Sequence, residues 1–178
     1  MYTNGDYYTV SFKMMTGFSE WTFLLGLASF AIIGFVQCTD CPDGWVAYEG
    51  SCYLFGHGVN HTFVDGEHFC RQHHNGHLVE IDSKAENLFL KDYIRGFGGH
   101  CYWIGLSDEQ IEGLWVWYNG NTTPAFFDWG PSQPSPGNAE DCGVFWGPFD
   151  YKWGDLPCDY KCQPVCKKSG GETVSIVG

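Results

Sequence analysis

The chain has 178 residues, a formal net charge of −12 and a pI of about 4.7. Hydrophobic residues make up 44% of it and charged residues 17%, a balance that argues against a disordered chain and predicts one folded domain with short extensions. A nucleic-acid-binding protein needs a basic surface, and 9 Lys and Arg against 21 Asp and Glu argue against that class.

An uncharged apolar run of 15 residues, TFLLGLASFAIIGFV, fills Thr22–Val36. A membrane-spanning helix needs about 20 apolar residues, so the run is better interpreted as the core of a signal peptide. We therefore predict a signal peptide at residues 1–38, with cleavage near Phe35–Thr39, and a secreted, extracellular protein without stable membrane insertion. A short type II membrane anchor is the alternative.

Nine cysteines in a chain of this size favour disulfide bonds formed in an oxidising compartment. Zinc binding is the alternative, because Cys38 and Cys41 form one C-x2-C pair. Most other cysteines are widely scattered, which favours disulfides. Their spacing alone does not give the connectivity.

Two amphipathic helices are predicted. Thr62 is a candidate cap for the first, at about Phe63–His74, and Gly76 is expected to end it. Ser83 to Glu86 reads S-x-x-E, the pattern of a capping box, and predicts the start of the second helix.

The remainder is interpreted as strands and loops. The strand candidates are Tyr102–Leu106, Leu114–Tyr118, Gly143–Trp146 and Val165–Lys167. Asn119-Gly120 is a hairpin-turn signal. The segment Asn121–Asp141 is rich in Pro, Gly, Ser and Asn, and its prolines and the nearby Cys142 favour an ordered, functional loop. We predict one domain at residues 39–167 and a flexible tail at residues 168–178.

Several short motifs occur in a fixed order along the predicted domain. They are C-P-D-G-W (41–45), S-C-Y (51–53), Cys70, H-L-V-E-I (77–81), W-I-G-L (103–106), Q-P-S (133–135), E-D-C (140–142), W-G-D (153–155), Cys158 and P-V-C (164–166). This series resembles the long form of the C-type lectin domain, and the chain is similar to secreted perlucin-like lectins of invertebrates. The resemblance implies an α+β, C-type lectin-like fold, stapled by disulfides. Two helices would flank small antiparallel sheets, and a long irregular loop would bind calcium and sugar.

The resemblance also implies three disulfide bonds: Cys41–Cys52, Cys70–Cys166 and Cys142–Cys158. If cleavage of the leader removes Cys38, the remaining two cysteines form a fourth bond, Cys101–Cys162. If Cys38 stays, it is the odd thiol and is available to join two chains into a homo-oligomer. A buried free thiol at Cys101 or Cys162 is the alternative to the fourth bond.

In the family, one calcium ion is held by loop oxygens that also bind two sugar hydroxyls. Carried over by motif, the ligands for calcium and for carbohydrate are Gln133, Ser135, Glu140 and Asp155. A cis peptide at Pro134 would aim the loop ligands at one point. Ser135 stands where the family has Asp or Asn, and Gly154 stands where it has Asn. We therefore expect weak calcium binding, with a Kd of roughly 10⁻⁴–10⁻³ M.

Acidic residues match a second, auxiliary calcium position of some relatives. They are Asp108, Glu112, Glu140 and Asp141. Four oxygens of one sign cannot gather without a cation or protonation. An ordinary solvated acidic surface is the alternative.

The first and third loop positions carry the sugar preference in the family. Gln-Pro-Asp relatives favour galactose and Glu-Pro-Asn relatives favour mannose. Gln133 leans toward galactose, Ser135 weakens that inference, and mannose stays open. Three aromatics near the loop are candidates for stacking on a sugar, although core or rim packing is the commoner role of such residues: Trp129, Phe145 and Trp146.

The sequence predicts a binding protein rather than an enzyme. It contains no G-x-S-x-G, H-E-x-x-H or P-loop motif, and no positioned pair of acids for glycoside hydrolysis. Sequons at Asn60 and Asn121 predict N-glycosylation.

Two hypotheses follow. The first is a secreted, calcium-dependent, galactose-leaning lectin that recognises microbial glycans in innate immunity. The second is the same fold binding a protein or mineral surface without calcium-dependent sugar recognition.

Overall fold

The computed structural model describes residues 36–136 and 139–175. In that part of the chain, α1 (Phe63–Gln72) and α2 (Lys84–Phe97) accompany ten strands. The strands are β1 (Val36–Asp40), β2 (Val46–Tyr48), β3 (Ser51–Phe55), β4 (His77–Leu78), β5 (Cys101–Ser107), β6 (Val116–Trp117), β7 (Cys142–Trp146), β8 (Lys152–Leu156), β9 (Gln163–Ser169) and β10 (Gly171–Ser175).

The first helix begins where its cap predicts but ends early. The Thr62 hydroxyl accepts the main-chain N–H of Asp65 at 3.2 Å, which satisfies one of the free donors of the first turn. The helix stops at Gln72 rather than about His74. The C-cap is His73, so Gly76 is not the residue that ends the helix. A Cβ at Gly76 would lie 2.6 Å from the Trp45 ring. The glycine is therefore required by close packing against Trp45.

The second helix starts at the predicted capping motif. The Ser83 hydroxyl accepts the N–H of Glu86 at 3.0 Å, and the Glu86 carboxylate accepts the N–H of Asp82 at 2.7 Å. Leu90 and Ile94, four residues apart, are fully buried against the sheet.

Eight strands form one sheet with the order β2-β3-β9-β5-β7-β8; β4 pairs with β9, and β6 pairs with β5. The predicted strands over Tyr102–Leu106, Gly143–Trp146 and Val165–Lys167 are confirmed within β5, β7 and β9. The run Leu114–Tyr118 yields only the two residues of β6. Asn119-Gly120 does lie in a turn, closed by the N–H of Trp117 on the Thr122 carbonyl at 2.8 Å, but no second strand of a hairpin follows it among the described residues.

The expected α+β architecture is confirmed, but the sheet is mixed rather than purely antiparallel. Strands β5 and β9 pair in parallel, with Tyr102 opposite Gln163 and Trp103 opposite Pro164. The Cys101–Cys162 disulfide lies immediately before both residue pairs, so the two strands run from it in the same direction.

The structure forms all three disulfides that the resemblance implies, and the fourth at Cys101–Cys162. The Cys70–Cys166 bond joins α1 to β9 across 96 residues. The Cys70–Cys166 and Cys101–Cys162 bonds lie in one buried cluster with Phe63, Leu78 and Trp103, and each of the other two bonds contributes one buried cysteine to it. A second cluster, which includes Leu90, Ile94 and Trp153, lies between α2 and the sheet.

The segments that flank the domain pair with each other. Strands β1 and β10 form a two-stranded antiparallel sheet, from Val36 opposite Ser175 to Asp40 opposite Gly171. Residues 168–175 thus continue β9 and form β10, where the sequence suggested a flexible tail. The predicted signal peptide lies almost entirely outside the described residues and stays a prediction. No helix in the described part of the chain is long and apolar enough to cross a membrane.

Removing the fourth disulfide should destabilise the domain. We expect the Cys101→Ala/Cys162→Ala variant to lose roughly 2–5 kcal/mol in the free energy of unfolding, because the unfolded chain regains the freedom of a 61-residue loop. Guanidinium denaturation measures the loss. A non-reducing digest of the native protein should contain a cross-linked peptide pair spanning both cysteines, and a free thiol at either position would contradict the bond.

Candidate functional site

The long loop at residues 121–141 is hydrogen-bonded to the edge strand β8 through both main-chain polar groups of Trp153. The N–H of Trp153 donates to the Asp128 carbonyl at 2.8 Å, and the N–H of Gly130 donates to the Trp153 carbonyl at 2.7 Å. Trp129 forms a parallel bridge with Trp153. The loop is therefore anchored at its centre, although its described residues form no regular strand.

The Gln133–Pro134 peptide bond is cis, as predicted. The Gln133 N–H donates to the Gly130 carbonyl at 3.2 Å, which closes a turn. The Ser135 hydroxyl lies 3.4 Å from the Gln133 side-chain oxygen Oε1. The polar groups of Gln133 and Ser135 therefore lie together on one side of the loop.

Asp155 lies beneath this turn on β8. The Ser135 N–H donates to Asp155 Oδ2 at 2.7 Å. The side chain is buried, with the residue 2% exposed, and its second oxygen, Oδ1, has no hydrogen-bond partner in the described structure. A buried carboxylate oxygen without a partner is unfavourable, so this atom is available to a cation or a donor.

Burial, with smaller contributions from the charges of Glu140 and Asp108, raises the pKa of Asp155 to about 6 against the opposing hydrogen bond from the Ser135 N–H. The structure thus brings the Gln133–Ser135 turn and Asp155 together, and the charge of Glu140 acts on Asp155.

Gly154 leaves a small notch between two side chains. A Cβ at this position would lie 3.4 Å from Trp146 Cβ and 3.8 Å from Gln133 Cδ, both ordinary contacts. The notch therefore has the Trp146 side chain on one wall and the Gln133 amide on the other, and it has room for a Cβ.

The proposed auxiliary site is assembled less completely. Asp108 is buried, its Oδ2 accepts the Gly113 N–H at 2.8 Å, and its Oδ1 has no partner in the described structure. Burial raises the pKa of Asp108, and Asp141 raises it further. Glu112, by contrast, is exposed in the turn before Gly113. The auxiliary calcium position stays a prediction.

The side chains of the sugar site carry the type of oxygen ligand that calcium binds, but they are fewer than calcium prefers. Calcium prefers six to eight oxygen ligands, and the sugar-site set supplies carboxylate, amide and hydroxyl oxygens, including the unpartnered Oδ1 of Asp155. Among residues 36–136 and 139–175, no three His, Cys, Asp or Glu side chains are grouped so that they could hold a metal ion. A calcium ion bound here would therefore be held by two carboxylates supplemented by neutral oxygens and water.

A family model described as the lectin C-type domain matches residues 59–168. A perlucin-like protein of Mytilus galloprovincialis is 36% identical over 129 residues, which cover 69% of this chain and 81% of that protein. The chain belongs to the C-type lectin domain family.

Solved structures of the family share the fold closely. The cow CD23 carbohydrate-recognition domain, determined in the presence of a GlcNAc2Man3 oligosaccharide, has a TM-score of 0.66 at 31% identity and covers 75% of this chain and 99% of its own. A calcium-independent type II antifreeze protein has a TM-score of 0.66 at 28% identity and covers 75% of this chain and 97% of its own. The same scaffold therefore occurs in a carbohydrate-recognition domain and in a calcium-independent antifreeze protein.

The three candidate stacking aromatics of this C-type lectin domain have different surroundings. Phe145 is fully buried in the core. Trp129 is half-buried and stacks on Phe127. Trp146 is half-buried and borders the notch at Gly154. Its position next to the predicted ligands was not readable from the sequence, because it depends on the pairing of β7 with β8.

Both predicted glycosylation sites are at exposed residues. Asn60 precedes the cap of α1, and the hydroxyl of Thr62 in its sequon is bonded to Asp65. Asn121 follows the turn after β6, at the start of the long loop. Glycosylation at either site stays a prediction.

Neutralising Asp155 should stabilise the calcium-free domain. Because the pKa of about 6 in the fold lies above the ordinary value of 3.8, the ionised carboxylate opposes folding as the pH rises from about 4 through 6. We expect Asp155→Asn to raise the free energy of unfolding by roughly 1–3 kcal/mol at pH 7 in chelator, with the gain lost near pH 4. Asp159→Asn, at an exposed carboxylate, is the control and should change nothing. A less stable Asp155→Asn protein would contradict the assigned environment.

Proposed function

We propose that this lectin binds carbohydrate through a calcium ion held by Gln133, Ser135, Glu140 and Asp155. One observation carries the proposal: Asp155 is buried beneath the cis-proline turn and leaves one carboxylate oxygen unpartnered. A cation would compensate the cost of that burial. The bound ion would supply a Lewis-acidic centre to which neighbouring sugar hydroxyls attach.

The chain's own residues would orient both ion and sugar. The Ser135 N–H holds one oxygen of Asp155 and so fixes the direction of the other. Gln133 presents an amide, which can both donate to and accept from a hydroxyl, whereas a carboxylate only accepts. This property supports the lean toward galactose-type sugars. The half-buried Trp146 indole next to the notch supplies an apolar wall of the kind that the apolar face of a sugar packs against.

We further propose an extracellular location and a role in recognising microbial glycans, without enzymatic activity. Four disulfides support an oxidising compartment. Single sugar contacts are weak, so avidity would require a multivalent assembly.

The second candidate function is binding to a protein or mineral surface without calcium. The likeness to a calcium-independent antifreeze protein favours it, as do Gly154 and Ser135, which weaken the ligand set. The unpartnered oxygen of Asp155 favours the first candidate.

Calcium should bind measurably to the domain. We expect calorimetry to give a Kd of roughly 0.1–1 mM and 10 mM Ca²⁺ to stabilise the protein by roughly 1–3 kcal/mol. The Asp155→Asn variant should lose both effects because it loses a ligand charge. The protein should be retained on galactose beads in calcium, less well on mannose beads, and released by chelator. No heat at millimolar calcium would refute the first candidate, and retention that survives chelator would favour the second.

Restoring the missing family ligand should strengthen the site. Gly154→Asn adds a side-chain amide oxygen at the position where the family has it, and its Cβ makes only ordinary contacts, so we expect calcium to bind roughly 3–10 times more tightly. Gly154→Ala is the matched control, because it adds the same Cβ and no oxygen. Calorimetry on the two variants separates ligation from backbone stiffening, and equal affinities would count against the assigned geometry.

A further inference from the structure

Helix α2 buries two polar side chains on its sheet-facing side. Asn87 is 4% exposed and Lys91 is 6% exposed, one helical turn apart and next to the core residue Leu90. Buried polar groups need partners, and both find the same one. Asn87 Nδ2 and Lys91 Nζ each lie 2.8 Å from Asp128 Oδ2 in the long loop.

Asn87 and Asp128 also hold the same tryptophan. The indole N–H of Trp153 donates to Asn87 Oδ1 at 2.9 Å, and its main-chain N–H donates to the Asp128 carbonyl at 2.8 Å. Helix, loop and strand β8 are therefore joined in one closed set of hydrogen bonds. Asn87 uses a donor and an acceptor in it, which few other side chains offer.

Trp153 is connected to two of the proposed ligands, once along strand β8 and once through the loop. In the strand, Asp155 lies two residues beyond Trp153. In the loop, Gly130 donates its N–H to the Trp153 carbonyl, and Gln133 donates its N–H to the Gly130 carbonyl. Gln133 and Asp155, two of the four proposed calcium ligands, are therefore both connected to the anchored Trp153.

We propose that Asn87 and Asp128 are positioning residues that set the calcium affinity of the loop from outside the site. The part that concerns affinity rests on the proposed function. Neither residue belongs to the proposed ligand set, and their contribution is to fix the separation of Gln133 and Asp155 before the ion arrives. Residues behind a ligand shell commonly change metal affinity by 10–100-fold in this way.

The test compares two variants with a control that also loses a buried side-chain hydrogen bond to α2. Asn87→Leu removes both side-chain bonds at similar volume, and Asp128→Asn keeps the main-chain bond to Trp153 while removing the charge next to Lys91. The control is Tyr53→Phe, which removes the buried 2.7 Å bond from Tyr53 to Glu86, another residue of α2. We expect calcium to bind about tenfold more weakly to Asn87→Leu and several-fold more weakly to Asp128→Asn. Tyr53→Phe should lose stability and keep its calcium affinity within about twofold.

A second readout uses the calcium-free protein. Hydrogen exchange at the amides of Gly130 and Gln133 should be faster in Asn87→Leu and Asp128→Asn than in Tyr53→Phe, under conditions of matched global stability. Unchanged exchange at both amides overturns the proposal, as does an unchanged calcium affinity in variants of a wild-type protein that binds calcium. If the wild-type protein gives no calcium heat, the proposed function fails, and the exchange rates still decide whether the pair positions the loop. If Asn87→Leu does not fold, Asp128→Asn decides both readouts.

Discussion

The site depends on one hydrogen bond, from the Ser135 N–H to the buried carboxylate of Asp155. It joins the cis-proline turn to the sheet and directs the other carboxylate oxygen into a place where it has no partner among the described residues. A protein that buries a charge in this way lowers its own stability unless something else neutralises the charge. The arrangement is understandable as a site organised for a cation, and it costs the calcium-free fold stability that the rest of the domain has to supply.

The rest of the domain supplies it through its disulfides and its aromatic core. Cys70–Cys166 and Cys101–Cys162 close loops of 96 and 61 residues, which restricts the unfolded chain and raises the relative stability of the fold. The described residues of the loop at 121–141 form almost no regular structure of their own. The loop is held at its centre by main-chain bonds to Trp153, and those bonds are effective because Trp153 itself is fully buried. Stability generated far from the site thus allows an irregular loop to be ordered.

Local chemistry made much of this structure predictable. The caps at Thr62 and Ser83 follow from side chains that satisfy the free N–H groups of a first turn, and such effects involve residues three apart. Three disulfides and the fold followed from the resemblance that the ordered motifs carry, whereas the fourth disulfide was conditional on the fate of Cys38. The parallel pairing of β5 with β9 was not predicted, because it joins distant segments whose register no local pattern gives. The strand at residues 171–175 was also missed, since its partner is a segment that the sequence assigned to the leader and its boundary.

The sequence named the residues of the candidate site but did not give their arrangement. Motif matching named Gln133, Ser135, Glu140 and Asp155, but the bond between Ser135 and Asp155 joins residues twenty apart and needed the fold. The link from Asn87 to Asp128 spans 41 residues and was missed entirely. A signal for it did exist: Asn87 and Lys91 are one turn apart on the face of α2 that carries Leu90, where a solvated polar pair is not expected.

The departure at Gly154 separates two properties that the family normally combines. In the proposed site an asparagine there would serve the calcium ion and the sugar together. Glycine leaves that ligand out, and the contacts of 3.4 and 3.8 Å that a Cβ would make are ordinary, so the packing does not require glycine here. The anchored Trp153, the turn at Gln133 and the buried Asp155 are all in place without it. The scaffold therefore does not depend on a side chain at position 154, and under the proposed function the strength of calcium binding would vary while the fold stays the same. This independence agrees with the occurrence of the same scaffold in a calcium-independent antifreeze protein.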